Sequence, residues 1–323
     1  MRIARRSDRN PWTVNSFATQ ELCPSGVALA GSRPEGVVAV VKKSARTATA
    51  VAVLAAALTA CGGGSGHPAG ASADQLSADP LTAVRSAADI TGRTGSAQAV
   101  TELTTESGDK KAVFNGAGGY DYVKRIGRLE ITVPPGAATT GKIVEVVLPG
   151  TVYLQNSGAK IPEGKWVKLD IRQLPDGNLV SSGATDPASA AGALRGAQQA
   201  ELVGTESVGG VELKHYKGML DLAKAAEATG GRGGDGLRMA AGTFTVKEIP
   251  YEVWLDGQGR LRKVVQTFGF SGVAGSKQPK DQVKVVSVLS LSDFGKPVQA
   301  VEPAPAEIYS MKPGQPGAST PPK

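Results

Sequence analysis

The chain has 323 residues, a formal charge of +7, 41% apolar residues, 42 glycines and 20 prolines. That composition suffices for one sizeable buried core flanked by loops and unstructured ends. The basicity suggests nucleic acid, but residues 1–60 alone carry +5, which leaves +2, with both signs interspersed, for everything after them. Nucleic acid is therefore excluded as an expected partner.

Lys42, Lys43 and Arg46 form a basic flank ahead of a short apolar run from Thr47 to Ala57, followed by Leu58-Thr59-Ala60-Cys61. The run is too short to cross a ~30 Å hydrocarbon core, which takes about 20 residues. It reads as a signal peptide over about residues 41–60. The last four residues resemble the bacterial lipobox. That resemblance implies cleavage between Ala60 and Cys61, with diacylglycerol on the Cys61 sulfur. Two acyl chains anchor stably where one binds only marginally. Residues 1–40 fit no export signal, and the twin arginines Arg5-Arg6 have no apolar run close behind them. Residues 1–60 are thus expected to be a leader assigned too early a start, with initiation at Val37, Val38, Val40 or Val41, plus the signal peptide. Cleavage removes Cys23, so the mature chain keeps one cysteine and no disulfide or cysteine metal site.

Residues 61–78 are small and polar and read as a flexible tether. Asp79-Pro80 opens a helix to about Ile90, with Asp79 as the cap and Pro80 in the first turn. Strand patterns follow at Ala97–Thr105, Lys111–Phe114, Tyr120–Val123 and Arg128–Val133. Ile143–Leu148 and Thr151–Gln155 are separated by Pro149-Gly150, a hairpin signal. Trp166–Ile171 alternates, and Asp186-Pro187 begins a second helix through Leu194. Glu201–Ser207 and Glu212–Lys217 turn at Gly209-Gly210, and Leu220–Ala228 is an alanine-rich third helix. Tyr251–Leu255, Leu261–Phe270 and Val283–Leu291 close the domain, the first two joined at Asp256-Gly257-Gln258-Gly259. Residues 301–323 are proline-rich and expected to be a disordered tail. Many hairpin-ordered strands with about three helices predict one α+β domain over residues 79–300, an antiparallel β-sheet with helices covering one face.

The stretches GKWVKLDI, DPASAAGALRGA, GVELKHYKGMLDLAKAA, IPYEVWLDGQGRLRKV and VSVLSLSDFGKPV resemble actinobacterial lipoproteins of the LppX/LprG type, within the wider LolA/LolB-like group. The resemblance implies a strongly curved half-barrel sheet with helices across its concave face. It also implies a cavity between them that holds acyl chains of lipids or glycolipids. The chain differs in its glycine-rich stretch at 229–242, which reads as a mobile loop that gates such a cavity.

No catalytic constellation stands out. His67 lies in the tether, and His215 sits in a strand between two lysines, where a structural role is expected. Gly231–Gly236 matches G-x-G-x-x-G, but it follows a helix where a dinucleotide loop follows a strand. Asp293-Phe294-Gly295 lacks the other kinase motifs. No enzyme activity and no cofactor are expected. The apolar strand faces are the candidate ligand-lining surface: Val146, Leu148, Val152, Leu154, Val167, Leu169, Tyr251, Val253, Leu255, Val265 and Leu289. Two functions follow from this reading. The first is a non-enzymatic envelope lipoprotein, anchored on the outer face of the membrane, that binds or carries lipid or glycolipid. The second is an interaction module of the same fold with a filled core and an envelope protein as partner.

Overall fold

A computed structural model describes residues 75–135, 141–157, 161–180, 184–271 and 282–309. The expected signal peptide and Cys61 lie outside these residues. Helix α1 (Pro80–Arg93) starts where the sequence indicates: Thr82 N–H donates to Asp79 Oδ2 at 2.8 Å, and Pro80 takes the first turn. Its face of Ala83, Val84, Ala87 and Ala88 is buried.

Six strands then run as a meander: β1 (Ser96–Ser107), β2 (Lys110–Asp121), β3 (Ile126–Thr132), β4 (Lys142–Leu148), β5 (Thr151–Gln155) and β6 (Trp166–Asp170). Helix α2 (Pro187–Ala193) is capped by Asp186, whose Oδ2 accepts the Ser189 N–H at 2.7 Å. The chain continues through β7 (Glu201–Val208), β8 (Val211–Asp221), α3 (Leu222–Thr229), α4 (Gly231–Thr243), β9 (Glu248–Asp256), β10 (Leu261–Ser271) and β11 (Gln282–Ser292). All eleven strands form one open antiparallel sheet ordered β6-β5-β4-β3-β2-β1-β11-β10-β9-β8-β7. The β1–β11 pairing splices two meanders across the whole domain, with Thr101 opposite Leu289. The result is a curved α+β half-barrel with its helices on one face.

Three expectations change. The stretches 111–114 and 120–123 belong to one strand, β2, which passes through three glycines, Gly116, Gly118 and Gly119. Glycine weakens a sequence-based strand signal, yet a Cβ at Gly118 would come within 2.8 Å of Leu129 Cα on β3. Close approach of two backbones therefore requires the residue that breaks the pattern. The third helix begins at Leu222, because Leu220 and Asp221 still pair in β8 with Ile249 and Glu248. The stretch 229–242, read as a mobile loop, is instead the end of α3 and most of a fourth helix, α4. Glycine in a helix interior costs roughly 1 kcal/mol relative to alanine, and tertiary contact offsets that cost here. A Cβ at Gly234 would sit 2.5 Å from the Ala226 carbonyl oxygen of α3, so the two helices meet backbone to backbone.

Alternation sorts the sheet into two faces. The inner face carries Leu129, Ile131, Val152, Val253, Val264 and Leu289, packed under the helices with Leu194, Leu222, Leu237 and a Phe244–Phe268 stack at 4.9 Å. Val146, Tyr153 and Trp166 point to the outer face and form a separate cluster. Ala300 and Ile308 cover it, the latter in a parallel bridge to Trp166. Tyr309 N–H donates to the Trp166 carbonyl at 2.8 Å, Lys165 Nζ to that of Ala306 at 2.8 Å, and the Tyr153 hydroxyl to Glu302. Composition alone places residues 301–309 in the tail; in the fold they cover the edge of β6, which is one way of blocking edge-to-edge association.

Candidate functional site

A cavity of about 740 Å³ lies between the helices and the β4–β5 end of the sheet. The Pro149-Gly150 turn, the segment after β6, the start of α2 and the α3–α4 junction enclose it. Each wall is held by local chemistry. Asp121 Oδ1 accepts the N–H groups of Val123 (3.0 Å) and Lys124 (2.8 Å), tightening the β2–β3 turn that carries Tyr122 and Arg125. Arg125 adopts a left-handed backbone, φ 59°. This conformation is unfavourable for a long side chain and persists only where the surroundings dictate it.

The opposite wall is the loop 174–180. Asp176 accepts the N–H of Asn178 at 3.2 Å and that of Val180 at 2.8 Å. Gly177 has φ 59°, and a Cβ there would come within 2.6 Å of the Gly236 carbonyl carbon on α4. Asn178 is 2% exposed, and its Nδ2 donates to Glu145 Oε1 at 3.0 Å.

The lining is mostly polar. Arg125, Arg172, Arg195 and Arg232 face it together with Asp170, Asp186 and Asp235. Several of these are paired: Arg172 with Asp170, Arg195 with Asp89 and Asp235 with Arg238, each at 2.6 Å. Tyr120 and Tyr122 lie with ring centroids 5.1 Å apart. Burial, reinforced by the charge of Asp186, pushes both hydroxyls above the usual tyrosine range. An apolar strip of Val147, Leu148, Ile171, Leu237 and Met239 completes the wall.

Burial likewise holds the Asp186 carboxyl above the usual aspartate range, opposed by the Ser189 hydrogen bonds and then by Arg125. A raised carboxyl contributes stability that is fully present below the ordinary aspartate range and is lost as pH rises through the raised value. Asp186→Asn removes the ionisation and keeps an oxygen able to cap α2. The urea midpoint of this variant is expected to gain on the parent as pH rises from about 4 to about 8. A gap that stays constant over that range would mean that Asp186 titrates as a solvated carboxyl.

The residues singled out from sequence take several positions. Val152, Leu154, Tyr251, Val253, Leu255 and Leu289 are buried in the main core, and Leu169 packs against it. Val167 is buried, and Val146 belongs to the outer cluster under Ala300 and Ile308. Leu148 lines the cavity, while Tyr251 and Val265 line a smaller hollow of about 450 Å³ beside Met219 and Pro250. Tyr122, Arg125, Asn178 and Asp186 went unnoticed as site residues. Only Asp186 carried a signal, and that signal was for its role as a cap.

His215 sits between two carboxylates and does not face Lys214, its nearer lysine in sequence. Its Nδ1 lies 3.1 Å from Glu206 and its Nε2 2.9 Å from Glu252, and the ring stacks on Trp254 at 4.1 Å. Strand alternation sends Lys214 to the opposite face, and cross-strand pairing supplies the carboxylates. Among the described residues no group of His, Cys, Asp and Glu could hold a metal ion, and no helix is long and apolar enough to cross a membrane.

The half-barrel with one helix-covered face defines the class, an α+β fold built on one open antiparallel sheet. No protein-family model matches the chain, and no curated protein matches it in sequence. Among solved structures it is similar to the lipoprotein LppX of Mycobacterium tuberculosis, at 14% identity over 68% of this chain and 97% of that one, with a TM-score of 0.40. LprF of Mycobacterium bovis is similar at 14% identity over 71% and 99%, with a TM-score of 0.38. A putative outer membrane lipoprotein-sorting protein domain of Vibrio parahaemolyticus is similar at 9% identity over 66% and 90%, with a TM-score of 0.28.

Proposed function

We propose that this chain is a non-enzymatic lipoprotein of the bacterial cell envelope, anchored through diacylglycerol on Cys61 to the outer face of the membrane, and that it binds lipid or glycolipid in the cavity beside the β4–β5 turn. The observation that carries this reading is the cavity itself. At about 740 Å³ it falls in the range of sites for small organic ligands, roughly 300–1,000 Å³. Its apolar strip suits an acyl chain, for which each buried CH₂ contributes about 0.8 kcal/mol. The rest of its wall is polar and suits a headgroup, so an amphiphile matches both halves.

Solvent extraction of the purified protein followed by lipid mass spectrometry tests the reading, alongside uptake of a fluorescent C16 fatty acid. A co-purifying amphiphile, or saturable uptake, is expected. A protein that arrives empty and takes up nothing would end the binding reading. A second reading, an interaction module with a filled core, draws on a specific observation: six of the eleven apolar residues expected to line a cavity pack in the main core instead. In that case, capture experiments with intact envelopes should return a protein partner and no lipid.

A further inference from the structure

Because each strand reverses the one before it, the β2–β3, β4–β5 and β9–β10 turns and the end of β6 all lie at one end of the sheet. The first described residues are fixed at the same end, where the Leu76 N–H donates to the Gly257 carbonyl at 3.2 Å. There the β2–β3 turn holds Val123 75% exposed. The turn is firm, with Asp121 Oδ1 accepting the N–H groups of Val123 and Lys124 and with Arg125 left-handed. Lys124 and Arg125 follow the valine, and Arg172 and Arg232 stand on the rim of the cavity beside them, all four exposed. Lys124 pairs with Asp121 at 3.5 Å and Arg172 with Asp170 at 2.6 Å, while Arg125 and Arg232 stand outside these pairs. Arg125 reaches the first turn of α4, where a Cβ on Gly233 would lie 3.4 Å from its Nη2, next to the residue that carries Arg232.

An exposed valine among cations matches a bilayer interface in both its parts. Lipid phosphates at headgroup depth accept from guanidinium and ammonium groups, and an apolar side chain at the tip of a turn enters the acyl boundary. The length of chain before the domain favours the same partner. Residues 61 and 75 are 14 apart, a span of at most about 50 Å. A rim tethered that closely meets the bilayer at an effective concentration of roughly millimolar order, so an attraction too weak to hold a free protein suffices. We propose that the rim formed by Val123, Lys124, Arg125, Arg172 and Arg232 docks on an anionic lipid surface. This rests on the reading of the chain as a lipoprotein anchored at Cys61, and it adds the orientation of the domain: the mouth of the cavity faces the bilayer, and the β1–β2 turn points away from it.

The test places the mature protein, purified with its anchor, in vesicles and reads the depth of an NBD label on one added cysteine, Val123→Cys or Asp109→Cys. Asp109 is exposed in the β1–β2 turn, at the other end of β2, about 40 Å away by strand length. Quenching by doxyl-labelled lipid is measured in phosphatidylcholine alone and with about one third phosphatidylglycerol. The label at 123 is expected to be quenched severalfold more than the label at 109. The difference should grow with phosphatidylglycerol and shrink in high salt. Arg125→Glu together with Arg232→Glu is expected to bring the signal at 123 in phosphatidylglycerol down to that in phosphatidylcholine, and the corresponding pair of lysine substitutions should keep it. Equal quenching at the two positions, or at neither, in vesicles that retain the protein would overturn the docking face and leave the anchor standing. A signal at 123 that ignores both phosphatidylglycerol and the glutamate pair would overturn the part given to the arginines. Shielding of the label at 123 by soluble polyglutamate, and not by vesicles, would overturn the bilayer in favour of an acidic protein. A protein that does not stay with the vesicles at all would overturn the anchored reading together with this one.

Discussion

Replacing Cys61 with alanine is expected to move the chain wholly from the membrane fraction to the soluble fraction. The expectation rests on the residues before it, a basic flank, a short apolar run and Leu58-Thr59-Ala60, and on the physics of anchoring. A single acyl chain gives marginal, reversible attachment with a binding constant of about 10⁴ M⁻¹, whereas two give stable attachment. Without the thiol there is no site for the diacylglyceryl group, so both chains are lost at once. Fractionation with mass spectrometry of the N-terminal peptide checks the outcome. The parent should begin at a lipid-modified Cys61, and the variant should carry no lipid there. A variant that stays in the membrane fraction would mean that something other than Cys61 holds the protein.

The second large effect concerns the wall of the cavity. Gly177→Ala is expected to destabilise the domain by roughly 2–4 kcal/mol, from left-handed backbone strain together with overpacking. Gly177 has φ 59°, and a Cβ would press on the Gly236 carbonyl within 2.6 Å. That neighbour is backbone and cannot swing aside. Either α4 moves away or the loop 174–180 unwinds, and both open the cavity. The same contact seen from the other side behaves differently. A Cβ at Gly236 would lie 3.2 Å from the Gly177 carbonyl oxygen, tight but close to tolerable, and alanine gains about 1 kcal/mol over glycine inside a helix. Gly236→Ala is therefore expected to stay within about 1 kcal/mol of the parent. Urea unfolding of the two variants side by side checks the asymmetry. Equal midpoints would mean that α4 does not rest on Gly177.

Much of the architecture was legible because its signals are local. Asp79-Pro80 and Asp186-Pro187 each announced a capped helix, and both caps form through the N–H three residues on. Pro149-Gly150 and Gly209-Gly210 marked two hairpins, and their strands pair as expected. Alternation in β9 put Tyr251, Val253 and Leu255 on one face, all in the core. The candidate site was much less legible. Apolar alternation identifies a buried face, but it cannot say whether the helices opposite fill the space. Here Leu194, Leu222, Leu237 and Phe244 fill most of it. The void remains at one end, where the walls come from the β2–β3 turn, the loop after β6 and the α3–α4 junction.

By its own pattern, then, the chain determined the starts of its first two helices, its hairpins and the inward face of strands such as β9. All of these depend on neighbours within a few residues, where caps, turns and a period of two act directly. Tertiary structure decided the rest. It joined β1 to β11 across nearly the whole domain, laid residues 300–309 along β6, and made a helix of the glycine-rich stretch 231–243. It also brought Tyr122, Asn178 and Asp186 to one cavity. Glycine is read locally as a breaker. Only when two backbones approach to within a missing Cβ does its small size become what holds the wall in place.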